Sequence, residues 1–364
     1  MDFIKLSHPY IQNLKPYQPG KPIEEVQREL GISDVIKLAS NENPLGPSPF
    51  ATQAAVEAMK KIALYPDPSG YELKHQLAEF YTVSPDEITL GNGSDNLLSL
   101  LIQGYGKGKS ILVSEYSFDN YVLIAQGHGV DAKIAPSKNW GVDVEAMAEA
   151  INDKTGIIFI ANPNNPTGTY ITHDELVFLL KRTPEHVLVV MDEAYYEFAT
   201  ESDYPRTQEL QKEYPNIIIT RTFSKGYGLA GLRVGYSLSH PQIVDVLNRI
   251  RLPFNVSVPA MAAASAALKD RQHLQECIKL NQRGREYLTK FFQELELSPI
   301  PSATNFITVD MRQDTTPLFQ KLLGMGIIVR PLHTYKMPHH FRITVGLEEQ
   351  NKRVIDALKT ILGK

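Results

Sequence analysis

Four short segments hold the residues of this chain that could do chemistry. Ser224-Lys225-Gly226-Tyr227-Gly228-Leu229-Ala230-Gly231-Leu232-Arg233 sets a lysine between two hydroxyl residues, Thr222 and Ser224, ahead of a glycine-rich turn that ends in an arginine. A loop lysine is ordinarily a solvated charge. With hydroxyls and an arginine around it, it has the setting of a Schiff-base lysine beside a phosphate site. Asp192-Glu193-Ala194-Tyr195 follows the apolar run 187–191 directly. Asp192 is there either a satisfied cap or the partner of a cationic ring nitrogen, and Tyr195 can reach the same ligand. In Asn162-Pro-Asn-Asn165-Pro166-Thr167-Gly168 the prolines and glycine freeze a turn, so that an asparagine amide is aimed at a ligand at low entropic cost, unless it is simply a well-formed turn. Gly91-Asn92-Gly93-Ser94-Asp95 precedes an apolar helix, and the amides of Ser94 and Asp95 are either an ordinary helix start or a phosphate cradle.

These segments need a scaffold that brings them to one place. Short β-branched runs at 87–90, 110–113, 156–160, 187–191, 217–220 and 233–238 alternate with helix-period stretches, the pattern of βα units around a mostly parallel sheet. The four segments then fall at the carboxyl ends of strands, where open α/β sheets bind ligands. Thr172 and Glu175 form a capping box that starts a helix ahead of Leu176, Leu179 and Leu180. The Ala-rich stretch from Pro259 reads as one long helix continuing through Leu274, Ile278 and Leu288. Strand patterns at 306–309, 327–329 and 341–345 follow it. The expected division is an arm over 1–45 that joins a small domain, a large domain over 46–259, and a small α+β domain over 260–364. In the arm, Pro22 is expected at the first position of a short helix that Gly31 ends.

Composition narrows the function classes. Of 364 residues, 43% are hydrophobic and 21% charged, which excludes wholesale disorder. A net charge of −4 leaves no basic field for nucleic acid. Cys277 is the only cysteine, so internal disulfides and a thiolate zinc cluster are excluded. No secretory or membrane-spanning apolar stretch stands out, which points to the cytoplasm. The run Gly104-Tyr-Gly-Lys-Gly-Lys-Ser110 imitates a nucleotide-binding P-loop, but Gln103 stands where that motif needs glycine and a strand pattern follows where it needs a helix. His333, His339 and His340 lack Asp, Glu or Cys at ligand spacing, so no metal is expected.

The segments NPNNPTG, DEAY and SKGYGLAGLR, in this order, resemble the fold-type I, class-II aminotransferases that depend on pyridoxal phosphate. Asn13-Leu-Lys-Pro-Tyr17-Gln-Pro-Gly-Lys-Pro, Ser40-Asn-Glu-Asn43-Pro44, Tyr65-Pro66-Asp67, Pro301-Ser-Ala-Thr-Asn-Phe306 and Arg342-Ile-Thr-Val-Gly346 extend the resemblance to the histidinol-phosphate aminotransferases over nearly the whole chain. The resemblance implies that Lys225 is the cofactor-binding lysine and proton shuttle, that Asp192 pairs with the pyridine nitrogen, and that Asn165 and Tyr195 bond its phenolic oxygen. It gives the phosphate to Ser224, Arg233, Thr222, the backbone at Ser94 and Asp95, and Tyr65 of a neighbouring subunit. Phe118 matches the aromatic stacked on the ring, where many relatives have Tyr. Arg342 takes the substrate's anionic end, with Tyr17, Arg330 and Asn43 beside it. The implied enzyme is a homodimer with a shared site that moves an amino group between L-histidinol phosphate and 2-oxoglutarate. An aromatic amino-acid aminotransferase, an enzyme of dual activity and a threonine-phosphate decarboxylase are the alternatives within this chemistry. A P-loop nucleotide-binding module, or a cofactor-binding protein without catalysis, are those outside it.

Overall fold

A computed structural model describes residues 1–17 and 20–363; Gln18 and Pro19, part of the arm motif quoted above, lie outside the described residues. The chain lays down β1 (Ile36–Lys37), β2 (Ile88–Gly91), β3 (Ser110–Ser114), β4 (Asp131–Ala135), β5 (Ser137–Lys138), β6 (Gly141–Val142), β7 (Thr155–Ala161), β8 (Leu188–Asp192), β9 (Ile217–Thr222) and β10 (Gly235–Leu238). Seven of these make one sheet in the order β2-β10-β9-β8-β7-β3-β4. Only β10 runs antiparallel to its neighbours. The expected α/β architecture with a mostly parallel sheet between helices is therefore the observed one. Every residue of β7, β8 and β9 is buried, as a sheet covered on both faces requires.

Side-chain parity divides that burial. Ile157, Phe159, Leu188, Val190 and Ile218 pack into one core with Tyr121 and Leu98. Ile158, Ile160, Val189, Met191, Ile217 and Ile219 point into another with Leu176 and Leu179. Successive strand residues face opposite ways, so Asp192, Thr220 and Thr222 share the Tyr121 side, and Glu193 and Arg221 share the other.

The remaining strands are β11 (Ser298–Ile300), β12 (Phe306–Asp310), β13 (Ile327–Ile328), β14 (Arg330–Leu332) and β15 (Met337–Thr344). They form an antiparallel sheet in the order β11-β12-β15-β14, while β13 pairs with β1 of the arm. The continuous helix expected from Pro259 is two helices, Val258–Lys269 and Arg271–Glu294. Asp270 leaves helical geometry between them, and its carboxylate caps the second helix at the His273 amide and accepts from Ser48 Oγ. Ala260, Ala263 and Ala264 belong to the large core, whereas Leu288, Phe291 and Phe292 belong to the small one. The change of core thus runs along Arg271–Glu294. Pro22 stands at the N-cap of Ile23–Leu30 rather than inside it, and Gly31 ends that helix at φ 67°. The capping box at Thr172 and Glu175 is present in both directions. The P-loop imitation is a turn that leads into β3.

Candidate active site

Because β2, β3, β7, β8 and β9 are mutually parallel, their carboxyl ends open on one edge, and the β11-β12-β15-β14 sheet faces that edge. A cavity of about 270 Å³ lies there. Among its walls are Tyr17, Ser94, Asp95, Phe118, Asn165, Asp192, Tyr195, Thr222, Ser224, Lys225, Arg233, Arg330 and Arg342. These are most of the residues singled out from the sequence, gathered from positions over 300 apart.

One part of the wall gathers hydrogen-bond donors. Arg233 adopts φ 53° after the glycine-rich turn and donates from Nη1 to Ser224 Oγ at 3.3 Å, while Thr222 Oγ1 donates to the same hydroxyl at 3.0 Å. The helix Ser94–Tyr105 begins at Gly93 with no side-chain cap, so its first amides are left for a ligand. A Cβ on Gly93 would come within 2.5 Å of Arg233 Nη2, and one on Gly235 within 2.8 Å of the Ser94 amide. At Gly235 the neighbour is backbone and at Gly93 φ is positive, so glycine at both positions lets these three elements approach closely. Asp95 holds Arg233 at 3.4 Å.

Lys225 and Asp192 have opposed environments. The Lys225 Nζ donates to the Ser40 carbonyl at 3.1 Å, and its pKa is lowered to about 8, first by burial and then by Arg342, with Arg233 acting the same way. That direction is the one expected of a lysine that must be neutral to act. Burial pushes Asp192 up to about 6, opposed by donation from Tyr121 to Oδ2 at 2.8 Å and from Thr220 to Oδ1 at 3.3 Å. Tyr195 is pushed up to about 12, mainly by burial. It is therefore a neutral phenol, and it accepts from Asn41 Nδ2 at 2.8 Å.

The β11-β12-β15-β14 sheet supplies cations. Arg330 and Arg342 are cross-strand partners on β14 and β15. Arg342 donates from Nη1 to Asn165 Oδ1 and from Nη2 to the Ala39 carbonyl at 2.8 Å, and its buried Nε has no partner among the described residues. An anionic ligand group fits that remaining donor.

Two expected residues stand elsewhere. Tyr65 is 82% exposed on an outer loop, stacked on Phe254 at 4.6 Å, and does not line the cavity. Asn43 does not line it either: its amide donates to the Gly226 carbonyl at 2.9 Å, from behind the lysine loop. From the same Ser40–Pro44 segment it is Ser40 and Asn41 that line the cavity, because Asn41 takes φ 55°, a conformation asparagine tolerates, and locks to Thr344. Tyr121 was also missed. It lies three residues after Phe118, but no local signal shows that its hydroxyl meets a carboxylate 71 residues away.

The chain matches the family model described as aminotransferase class I and II over residues 33–358. It is 49% identical to histidinol-phosphate aminotransferase 2 of Pseudomonas fluorescens, over 100% of this chain and 99% of that protein. It is likewise 49% identical to histidinol-phosphate aminotransferase 1 of Nitrosococcus oceani, over 99% and 98%. A crystal structure of histidinol-phosphate aminotransferase from Sinorhizobium meliloti in complex with pyridoxal-5'-phosphate superposes with a TM-score of 0.89 at 30% identity, over 98% of this chain and 97% of that one. With the donor set of the cavity and a family match along nearly all of its length, this chain belongs to the class I and II aminotransferases.

Proposed function

We propose that this protein is a pyridoxal-phosphate-dependent transaminase that converts L-histidinol phosphate and 2-oxoglutarate to imidazole acetol phosphate and L-glutamate. The observation that carries this reading is one cavity in which a phosphate cradle from the large domain and an arginine pair from the small domain flank a half-buried lysine whose pKa is lowered by desolvation first, then by Arg342 and Arg233. The relatives at 49% identity give the substrate.

The residues fit the cofactor. Ser224, Thr222, Arg233 and the amides of Ser94 and Asp95 hold its phosphate, Asp192 its ring nitrogen, Asn165 and Tyr195 its phenolic oxygen, and Phe118 its ring face. Bound there, pyridoxal phosphate supplies an electron sink for the charge left when an amino substrate loses its Cα proton. Asp192 keeps a proton on the ring nitrogen by direct ion pairing in a desolvated site. The Lys225 Nζ, partly neutral near pH 8, would take the Cα proton and deliver it to the cofactor's C4′ on the other side of the amino nitrogen, so a single group serves as base and acid. Arg342 and Arg330 bind the phosphate of histidinol phosphate in one half-reaction and a carboxylate of 2-oxoglutarate in the other, since both offer oxygens to a guanidinium fork.

The protein acts as a homodimer in the cytoplasm. Phe50, Val56, Met59, Ile62, Leu64 and Tyr65 are exposed apolar residues within sixteen positions of one another, and apolar exposure of that density supports a partner surface. Tyr65 there is free to reach a second copy's phosphate cradle. Among the described residues no helix is long and apolar enough to cross a membrane.

A panel of single half-reactions tests the substrate. Histidinol phosphate should convert the loaded enzyme fastest, with phenylalanine and tyrosine slower and threonine phosphate not decarboxylated. Faster conversion by phenylalanine would move the assignment to an aromatic amino-acid aminotransferase.

A further inference from the structure

Tyr121 is fully buried on the helix Asn120–Gly127, and its hydroxyl has one acceptor, Asp192 Oδ2, at 2.8 Å. Its ring is fixed on two sides. It stacks on Phe159 of β7 with centroids 5.0 Å apart and meets Phe118 edge-on at 5.5 Å. The other carboxylate oxygen accepts from Thr220 Oγ1. One rigid phenol therefore touches both the carboxylate and the aromatic assigned to the ring face.

We infer that Tyr121 is a positioning residue: its hydroxyl holds Asp192 in its charged, oriented form before the cofactor arrives, and its ring edge sets Phe118 over the same place. The inference rests on the reading that Asp192 meets the cofactor's ring nitrogen, and it adds the group that prepares Asp192 for that contact. The need is physical. Burial favours the neutral carboxylic acid, which cannot pair with a cationic nitrogen, and Asp95 on Ser94–Tyr105 adds like-charge repulsion. Tyr195 from the same loop, Lys225, Arg233, Arg330 and Arg342 from the facing walls, and Tyr17 of the arm complete the ionisable groups around the cavity. Tyr195, Lys225, Arg233 and Arg342 make no hydrogen bond to the Asp192 side chain. Donation by Tyr121, the largest, with Thr220 and the Ala194 amide, is what offsets the burial.

Tyr121→Phe removes the hydroxyl and keeps both ring contacts. The test strips the enzyme of cofactor and measures the equilibrium dissociation constant of pyridoxal phosphate from pH 5.5 to 8.5 for wild type, Tyr121→Phe and Asp192→Asn. Titrations of the cofactor itself are common to all three and cancel in the ratios. A hydrogen bond to a charged group moves a proton equilibrium by roughly ten- to hundredfold. The ratio of Tyr121→Phe to wild type should therefore be small at pH 8.5 and grow about tenfold or more as the pH falls toward 6, where more of the variant's Asp192 is protonated. A ratio that is the same at every pH reduces Tyr121 to a packing residue and overturns the inference. Asp192→Asn separates this failure from failure of the underlying reading: if it binds cofactor like wild type across the range, Asp192 does not meet the ring nitrogen, and both fall.

Discussion

Lys225 should weaken the cofactor-free protein that it serves. Its side chain is half-buried, and desolvation lowers its pKa from the ordinary 10.5 to about 8. The unfolded chain binds the proton more tightly than the folded one. The cost is therefore full below pH 8, shrinks between 8 and 10.5, and is gone above. At roughly 1.4 kcal/mol per pH unit, the linkage integral gives about 3 kcal/mol at pH 7 and about 1 kcal/mol at pH 10. Lys225→Met keeps the length of the side chain and removes the charge, but it forfeits the hydrogen bond to the Ser40 carbonyl, worth about 1 kcal/mol. The net expectation is a variant about 2 kcal/mol more stable than wild type at pH 7 and indistinguishable from it at pH 10. Urea unfolding of the two cofactor-free proteins, each at both pH values, measures it. A variant less stable than wild type at pH 7, or a gain as large at pH 10 as at pH 7, would refute the claim that the lysine is held against its own charge.

Asp192→Asn keeps the side chain's size and loses the charge that protonates the ring, so the single-turnover rate with histidinol phosphate should fall by several orders of magnitude while the fold persists; a rate near wild type would make Asp192 a cap. Arg221 and Glu193 form a buried pair at 2.7 Å, with the guanidinium 3.5 Å from the Tyr196 ring centroid. Arg221→Met should cost about 3–5 kcal/mol by stranding Glu193, and adding Glu193→Leu should recover most of it. Equal unfolding midpoints for the single and double variants would contradict this. Mixed after dissociation, inactive Lys225→Ala and impaired Tyr65→Ala subunits should regain up to about half of the wild-type activity, because one site per heterodimer then has both residues. Activity no higher than the parental average, with exchange demonstrated, would assign Tyr65 to its own subunit.

What was legible in the sequence follows from how local each signal is. The strands that carry the site are continuous apolar runs, and the loops after them hold glycine and proline at fixed places, so Asp192, Asn165 and Lys225 could be placed without partners. The edge strand β4 was not legible, because three of its five residues, Asp131, Lys133 and Ile134, face solvent and no apolar run marks it. The break at Asp270 is one residue long inside an unbroken helical period. Its signature, a basic residue ending one helix and an aspartate capping the next, lies within Lys269-Asp270 and is visible only once the cap is asked for. Asn41 and Asn43 differ by two positions, and the left-handed turn at Asn41 that decides between them depends on Thr344, 303 residues away.

The sharpest case is a pair of adjacent carboxylates. Asp192 and Glu193 are both buried and lie at the mouth of the same strand, yet one faces the cavity and the other an arginine on the far side of the sheet. Composition cannot separate them. Strand parity can, once the faces of β8 are fixed by Leu188 and Val190 packing with Tyr121 on one side and by Val189 and Met191 packing with Leu176 on the other. A register slip of one residue would exchange their roles, aiming Glu193 into the cavity and Asp192 toward Arg221. Assigning chemistry to Asp192 therefore requires the hydrophobic alternation of the five residues before it, and the apolar packing on both faces of the sheet is part of what aims this carboxylate, and not Glu193, into the cavity.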